Sequence, residues 1–312
     1  MISSIFGKTK PINYIILLGF LFIFYWFSHF VLFKSTYNPE QLVLPTFVLA
    51  ILLFSIFWVN FIIKRNKITG TNSFAILFYT LLIIVFPKVL MDNNGILCSF
   101  FLLLSTRRLL SLKSLKNIKH KIYDATMWIS VASLFYDWAL LYLILVFVSV
   151  YFYEPKNIRN WLVPFTAIFT VVMLTVCILI LAGNLDFLAQ HYTFSIDTES
   201  AYFMDWRNSG TLLGYILIIS LAGLLAFLGL GKAGTGRINT MRLVAIAYFL
   251  GLILTALKSS QDTFPVIVTF FPASIFLTNY VEIVKRPYAK EAILMVSVLV
   301  PFVLLVSGII VK

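Results

Sequence analysis

The sequence predicts an all-α integral membrane protein, built as a bundle of about eleven transmembrane helices in a single polytopic membrane domain over residues 1–312. Of the 312 residues, 61% are hydrophobic and only 12% are charged, whereas a soluble domain carries about 25% charged residues. The apolar residues also fall into runs of spanning length, and the basic residues alternate between the polar breaks. A water-soluble fold has no way to bury this much apolar surface, so no separate soluble domain is expected.

Apolar runs separated by polar breaks define eleven candidate spans. In chain order they cover residues 12–33, 43–63, 73–91, 95–110, 122–136, 138–153, 161–183, 209–231, 243–257, 264–283 and 291–311. The first run follows MISSIFGKTK without a cleavage-site pattern, so we expect an uncleaved first helix. The two cysteines, Cys98 and Cys177, are too few for a disulfide framework or a cysteine-based metal cluster.

Lysine and arginine collect in alternate breaks, as the positive-inside rule requires. With a cytoplasmic N-terminus, 19 of the 24 basic residues fall on the inner side and 8 of the 12 acidic residues on the outer side. This asymmetry predicts a bacterial inner-membrane protein with its C-terminus outside. The net charge of +12 is then charge retained at the cytoplasmic face, and no nucleic-acid partner is expected.

Residues 122–153 form a stretch of 32 residues interrupted by a single carboxylate, Asp137. A straight helix of this length measures about 48 Å, against a hydrocarbon core of about 30 Å. A single crossing would also place every later basic loop on the wrong side of the membrane. The stretch is therefore predicted to be a hairpin that turns at Tyr136-Asp137-Trp138, with Asp137 at a recessed outer tip.

Asp137 is the predicted catalytic or substrate-orienting residue. Thr126, Ser130 and Ser133 precede it at spacings of four, three and four residues, which places all four on one helix face. The hydroxyl stripe fits either the wall of an outward-facing cavity or a small-residue surface for close helix packing. For Asp137 the functional interpretation is favoured, because a carboxylate recessed in a membrane is costly without a partner.

Five basic residues depart from the topology rule by lying at the outer side, and three of them, Lys88, Arg207 and Lys258, are near the ends of predicted spans. Together they could form an anion site for a lipid pyrophosphate or a carboxylate, although each could also simply snorkel at its own helix end. Asp205 and His191 lie in the longest outer loop and complete the predicted substrate-binding set. No metal-ligand spacing is present, and neither a metal nor another cofactor is predicted.

The segment 123–165 resembles an uncharacterised family of bacterial multi-spanning inner-membrane proteins of similar length. The landmarks are Asp124, the ASLFY run at 132–136 and the Arg159-Asn160-Trp161-Leu162 sequence before the next span. The resemblance continues through the FP-rich tenth run to the end of the chain. It implies a multi-pass fold and brings no catalytic residues with it.

A looser likeness is to polytopic polyprenyl-phosphate-dependent glycosyltransferases and glycan polymerases, which also carry carboxylates and arginines at the outer face. The first outer loop of those glycosyltransferases is long and carries a catalytic carboxylate, whereas here KSTYNPEQL holds only Glu40. Their catalytic assignment therefore has no counterpart in this chain.

Three functions are consistent with these features. The first is an enzyme that acts at the outer face on a lipid-linked, glycan-type substrate. The second is a transporter or flippase of lipid-linked or amphipathic cargo, and the third is a non-catalytic membrane subunit of a cell-envelope assembly. Membrane lipid is the expected partner in each, and a polyprenyl-phosphate-linked substrate is expected in the first.

Overall fold

A computed structural model describes residues 2–196, 206–231, 234–260 and 263–310, without the side chains of residues 206, 207 and 308–310. All regular secondary structure in these ranges is helical. The α-helices are α1 (Ile2–Phe6), α2 (Pro11–Phe27), α3 (Val43–Asn66), α4 (Phe74–Val85), α5 (Asn93–Leu110), α6 (Ile118–Ala132), α7 (Leu143–Tyr153), α8 (Ile158–Ala182), α9 (Asp186–His191), α10 (Trp206–Leu228), α11 (Thr235–Leu257), α12 (Phe270–Ile283) and α13 (Pro287–Ile310). Short 3₁₀ segments cover Pro39–Leu42, Pro87–Met91, Ser111–Ser114, Asp137–Tyr142 and Pro265–Thr269, and a π-helical turn covers Ser28–Leu32.

Within the described ranges, eight helical segments are long and apolar enough to cross a membrane. They are Pro11–Leu32, Pro39–Asn66, Asn93–Ser114, Ile158–Ala182, Asn208–Leu228, Thr235–Leu257, Pro265–Ile283 and Pro287–Ser307. Phe74–Val85 and Asp137–Tyr153 are apolar but shorter, and α6 is also short. Each of the eleven apolar runs contains a helix. The all-α multi-pass class is confirmed, while the count of eleven crossings and the sides of the termini stay predictions.

Two spans are broken where a proline follows a non-helical residue. α4 ends at Val85, and Phe86 takes φ −120° and ψ 68° before Pro87 starts a 3₁₀ segment. Phe264 takes φ −146° and ψ 77° before Pro265 in the same way. The proline ring clashes with a helical conformation of the preceding residue, which explains both breaks.

The centre of the bundle is formed by α4 and α12. Every side chain of α4 from Phe74 to Ile84 is buried, and α12 packs against both α4 and α10. α5 joins this centre through the Pro265–Thr269 segment and carries α6 on another side. α8 and α13, in contrast, expose most of their apolar side chains. Those two helices therefore present the broadest surfaces to lipid.

The predicted hairpin at Asp137 is present. α6 ends at Ala132, and Tyr136 is extended with φ −137° and ψ 115° before the 3₁₀ segment Asp137–Tyr142 begins. α7 then packs back against α6 and also contacts the Ser111–Ser114 segment that precedes α6. Residues 122–153 therefore do not form a single long helix.

The segments predicted to share the inner side of the membrane lie at one end of the bundle, which we call the N-terminal face. Asn13 Nδ2 donates to Ser73 Oγ at 3.1 Å, and the Gly70 amide donates to Glu282 Oε1 at 2.8 Å. These contacts join the start of α2, the α3–α4 connection and the end of α12.

The opposite end of the bundle, which carries Asp137, is called the Asp137 face. His29 Nε2 donates to the Leu90 carbonyl at 3.1 Å, and Lys88 Nζ donates to the Ser260 carbonyl at 3.2 Å. The end of α2, the α4–α5 connection and the end of α11 thus meet there. Both sets of contacts agree with the alternation that the basic residues predict.

Cysteine labelling tests the hairpin. Lys116 and Lys156 are exposed on either side of it, and cysteines introduced at both positions should react with a membrane-impermeant maleimide from the same side. Asn184, exposed beyond the next span, is the matched control and should react from the opposite side. The background carries Cys177→Ser because Cys177 is exposed, whereas Cys98 is buried. Labelling of positions 116 and 156 from opposite sides would contradict the hairpin.

Candidate functional site

Asp137 and Lys258 form a buried ion pair at the Asp137 face. Lys258 Nζ lies 3.3 Å from Asp137 Oδ1, and the Trp138 amide donates to the same oxygen at 2.9 Å. Only 2% of Asp137 and 8% of Lys258 is exposed. The pair joins the tip of the α6–α7 hairpin to the end of α11, which are far apart in sequence.

Ser195 lies over this pair and connects it to the loop that follows α9. Lys258 Nζ donates to Ser195 Oγ at 3.2 Å, and Trp138 Nε1 donates to the Ser195 carbonyl at 3.0 Å. The described part of this loop therefore covers the ion pair and limits its exposure to water.

The second carboxylate oxygen of Asp137 has a different environment from the first. Asp137 Oδ2 is buried and has no hydrogen-bond partner among the residues that the structure describes. Buried carboxylate oxygens are normally hydrogen-bonded, because the lost hydration is costly. Oδ2 is therefore an acceptor atom whose hydrogen-bonding capacity is unused within the described structure.

His191 and Tyr192 fasten α9 to the end of α6 through Ser133. His191 Nε2 donates to the Ser133 carbonyl at 2.7 Å, since a carbonyl can only accept. Ser133 Oγ donates to the Ser130 carbonyl at 2.8 Å, so Tyr192 is the donor in its 2.9 Å contact with Ser133 Oγ. Burial, reinforced by the negative charge of Asp137, raises the pKa of the Tyr192 phenol, which keeps it a donor.

A second buried carboxylate, Asp92, bonds the residue that directly precedes Asp137. It accepts hydrogen bonds from Tyr136 Oη at 2.6 Å, from the Gly95 amide at 2.8 Å and from the Phe264 amide at 3.0 Å. Asp92 thus caps α5 and also holds the hairpin tip and the Pro265 break together. Because Tyr136 directly precedes Asp137, this network positions the catalytic candidate.

Lys88 interacts with Asp92 and with the segment that follows Lys258, the partner of Asp137. Its charge acts on Asp92, and its Nζ donates to the carbonyl of Ser260, two residues after Lys258. The Lys88 side chain therefore contacts the segment that follows Lys258. The anion site that the sequence predicts for Lys88, Arg207 and Lys258 stays a prediction.

A cavity of about 220 Å³ lies between α6, α8 and α9. Most of its lining is aliphatic, with hydroxyl groups from four side chains. The lining residues are Ser130, Ser133, Leu134, Leu140, Ile168, Val171, Val172, Thr175, Leu188 and Tyr192. Val172 is 48% exposed on α8, so the cavity reaches the lipid-facing surface. Tyr192 belongs to both the cavity wall and the surroundings of Asp137.

The six residues predicted for the site have different outcomes. Asp137 and Lys258 are in direct contact, Lys88 lies at the segment next to Lys258, and His191 bonds the turn that leads to Asp137. Asp205 and the side chain of Arg207 lie outside the description. The roles of all six in catalysis or substrate binding stay predictions.

Four further residues belong to this site and were not predicted as site residues from the sequence, namely Asp92, Tyr136, Tyr192 and Ser195. Only Asp92 could have been recognised from the sequence, because an aspartate just before an apolar run occupies the N-cap position of the helix that follows. Tyr192 and Ser195 carried no such signal, because their roles depend on how the loop folds back over the hairpin.

These features define an all-α, multi-pass membrane protein with a buried carboxylate–ammonium pair at one end of the bundle. No family model, curated protein or solved structure matches the chain.

Proposed function

We propose that the protein is an enzyme of the bacterial inner membrane that acts at its outer face on a lipid-linked, anionic substrate of the glycan-carrier type. The observation that carries the proposal is the buried Asp137–Lys258 pair, in which one carboxylate oxygen has no hydrogen-bond partner among the described residues. Tyr192 connects this pair to a cavity that reaches lipid. A buried pair of charged side chains near a concave, mostly apolar cavity is an arrangement expected of a binding or active site.

Lys258 is the partner of the substrate phosphate in this proposal. An incoming phosphate competes with Asp137 for the ammonium group, because both are anions that accept from the same donor. Lys88, held at the adjacent Ser260 carbonyl, adds a second positive charge. When the phosphate replaces Asp137 as the partner of Lys258, the Asp137 carboxylate becomes available as a base.

Asp137 then acts as the general base. The acceptor hydroxyl transfers its proton to Oδ2 as its oxygen bonds to the anomeric carbon of the linked sugar. The bond from that carbon to the carrier phosphate breaks, and the phosphate leaves with the electron pair, its charge balanced by Lys258. A positioned base of this kind contributes about 10²–10⁴-fold to a rate.

The cavity accommodates part of the carrier's hydrocarbon chain. Its volume of about 220 Å³ is below the roughly 300–1,000 Å³ typical of complete ligand sites, so it fits a chain segment better than a whole headgroup. Ser130 Oγ, buried without a hydrogen-bond partner in the described part of the chain, is a polar contact within its lining.

Asp137→Asn should lower glycan transfer per folded protein by about 100-fold or more, measured with purified protein and a polyprenyl-phosphate-linked donor. Asp186→Asn, the same change at an exposed acidic residue of α9, is the matched control and should retain wild-type transfer. The paired variant Asp137→Asn/Lys258→Met, which removes both charges and so avoids an unpaired buried ion, should be folded and inactive. Full transfer by either folded Asp137 variant would refute the proposal.

A second candidate, transport of the same lipid-linked cargo, is favoured by the helix breaks. Four apolar segments carry described 3₁₀ turns at the Asp137 face, at Pro39, Pro87, Asp137 and Pro265, and interrupted helices often line the sites of transporters. The paired variant separates the two functions in vesicles containing a fluorescent polyprenyl-phosphate. Transport predicts wild-type movement of the lipid between leaflets without any acceptor, abolished in the variant, whereas the enzyme proposal predicts turnover only with acceptor.

A further inference from the structure

Six basic side chains converge at the N-terminal face, where α3 and α5 end and α6 begins. We call this set the basic cluster. Its members are Arg65, Lys67, Arg107, Arg108, Lys113 and Lys121. They come from the end of α3 and the residue after it, from α5, from the Ser111–Ser114 segment and from α6, so only the packing of these segments brings them together.

Local contacts hold the cluster in place without neutralising it. Arg107 interacts electrostatically with Arg65 and Arg108. Arg108 Nη2 pairs with Asp124 Oδ2 at 2.9 Å, and within the described ranges Asp124 is the acidic residue whose charge acts on Arg107.

The two lysines nearest the Ser111–Ser114 segment bond neutral oxygens. Lys121 Nζ donates to the Ser111 carbonyl and to Ser114 Oγ, both at 2.7 Å. Lys113 Nζ donates to the carbonyl of Asn66, the residue before Lys67. The positive charge of Lys67 acts on Lys113. The cluster thus keeps an excess of positive charge at short range, and a bound anion would relieve the repulsion.

The cluster borders an aromatic surface on α3. The Arg107 guanidinium lies 4.5 Å from the ring centroid of Trp58 and 5.0 Å from that of Phe61. The Trp58 ring contacts Phe61 and Phe54, with centroid distances of 5.4 Å and 5.9 Å. Phe54 and Phe61 are 50% and 41% exposed, which places Arg107 between a lipid-facing surface and the polar end of the bundle.

We propose that the basic cluster binds the phosphate head group of an anionic phospholipid, whose acyl chains lie along Phe54, Trp58 and Phe61. Arginine binds phosphate through paired donors, and basic side chains at a membrane surface attract anionic lipids. A soluble phosphate would use the cations alone, so the adjoining aromatic surface favours a lipid. This site is at the opposite end of the bundle from Asp137 and is independent of the proposed enzymatic function.

Lipid binding can be measured by native mass spectrometry of the full chain in mild detergent, titrated with phosphatidylglycerol or phosphatidylcholine. We expect phosphatidylglycerol to bind more tightly, and Arg65→Gln/Arg107→Gln to weaken it about 30-fold, since each basic residue at a membrane surface contributes about fivefold. Lys285→Gln/Arg286→Gln removes the same charge from exposed residues near the end of α12 and should bind as wild type.

Arg107→Lys keeps the charge and serves as a folded comparison, with a loss of less than tenfold expected. Equal binding of the two lipids, or no loss in the Arg65→Gln/Arg107→Gln protein, would overturn the proposal. So would an equal loss in the Lys285→Gln/Arg286→Gln control. Displacement of phosphatidylglycerol by inorganic phosphate at equal concentration would show a soluble-phosphate site instead and would also overturn it.

Discussion

Lys258→Met is expected to destabilise the folded protein by about 3–5 kcal/mol, because it leaves a buried carboxylate without its counter-ion. Asp137 is 2% exposed, and in the described structure the Trp138 amide is the hydrogen-bond donor that remains to it. Thermal or denaturant unfolding in detergent, followed by tryptophan fluorescence, measures the loss. The effect is large because the substitution removes the counter-charge while the burial of Asp137 stays the same.

The double variant Lys258→Met/Asp137→Asn separates this effect from the loss of lysine packing. Replacement of the charged carboxylate by an amide should recover at least half of the lost stability, because no uncompensated ion then remains buried. Lys34→Met, at an exposed lysine of the same face, should change the unfolding free energy by less than about 0.5 kcal/mol. A Lys258→Met protein as stable as wild type would show that the ion pair is not formed.

Asp92→Ala is expected to cost about 3 kcal/mol or more, since it removes the acceptor of three buried donors at about 1–3 kcal/mol each. Those donors are Tyr136 Oη and the amides of Gly95 and Phe264. The unfolding free energy should therefore fall by more than for any single truncation of its partners. The hairpin tip should also loosen, which hydrogen exchange of the 133–142 backbone would report.

Tyr136→Phe provides the graded comparison for Asp92, because it removes one of the three donors and leaves the two backbone contacts intact. Its expected cost is about 1–2 kcal/mol. Asn94→Ala, at an exposed neighbour in the first turn of α5, should be close to neutral. If Asp92→Ala and Tyr136→Phe cost the same, the two amide contacts contribute nothing measurable.

The two carboxylates of the site therefore have different roles. Asp92 has three donors and joins three segments, as expected for a structural group. Asp137 has a cation and one amide on Oδ1, while Oδ2 has no hydrogen-bond partner among the described residues. Loss of Asp92 should reduce activity only through stability and geometry, whereas loss of Asp137 should abolish transfer in a protein that is still folded.

The sequence by itself determined the membrane class, the helical content and the hairpin at Asp137. These follow from local quantities, namely the length of apolar runs, the position of charges between them and the thickness of a bilayer. It also indicated that Asp137, Lys88 and Lys258 share one face, because each lies at a predicted outer end of a span.

Only the tertiary structure decided which of these ends meet. Asp92 and Phe264 are 172 positions apart, and no local pattern specifies that α5 lies against the Pro265 segment. In a membrane, apolar helix surfaces are similar to one another and to lipid, so neighbours are selected by shape and by buried polar contacts distributed along the chain. That is why the Asp137–Lys258 pair, the cavity behind it and the basic cluster at the other face required the packed bundle.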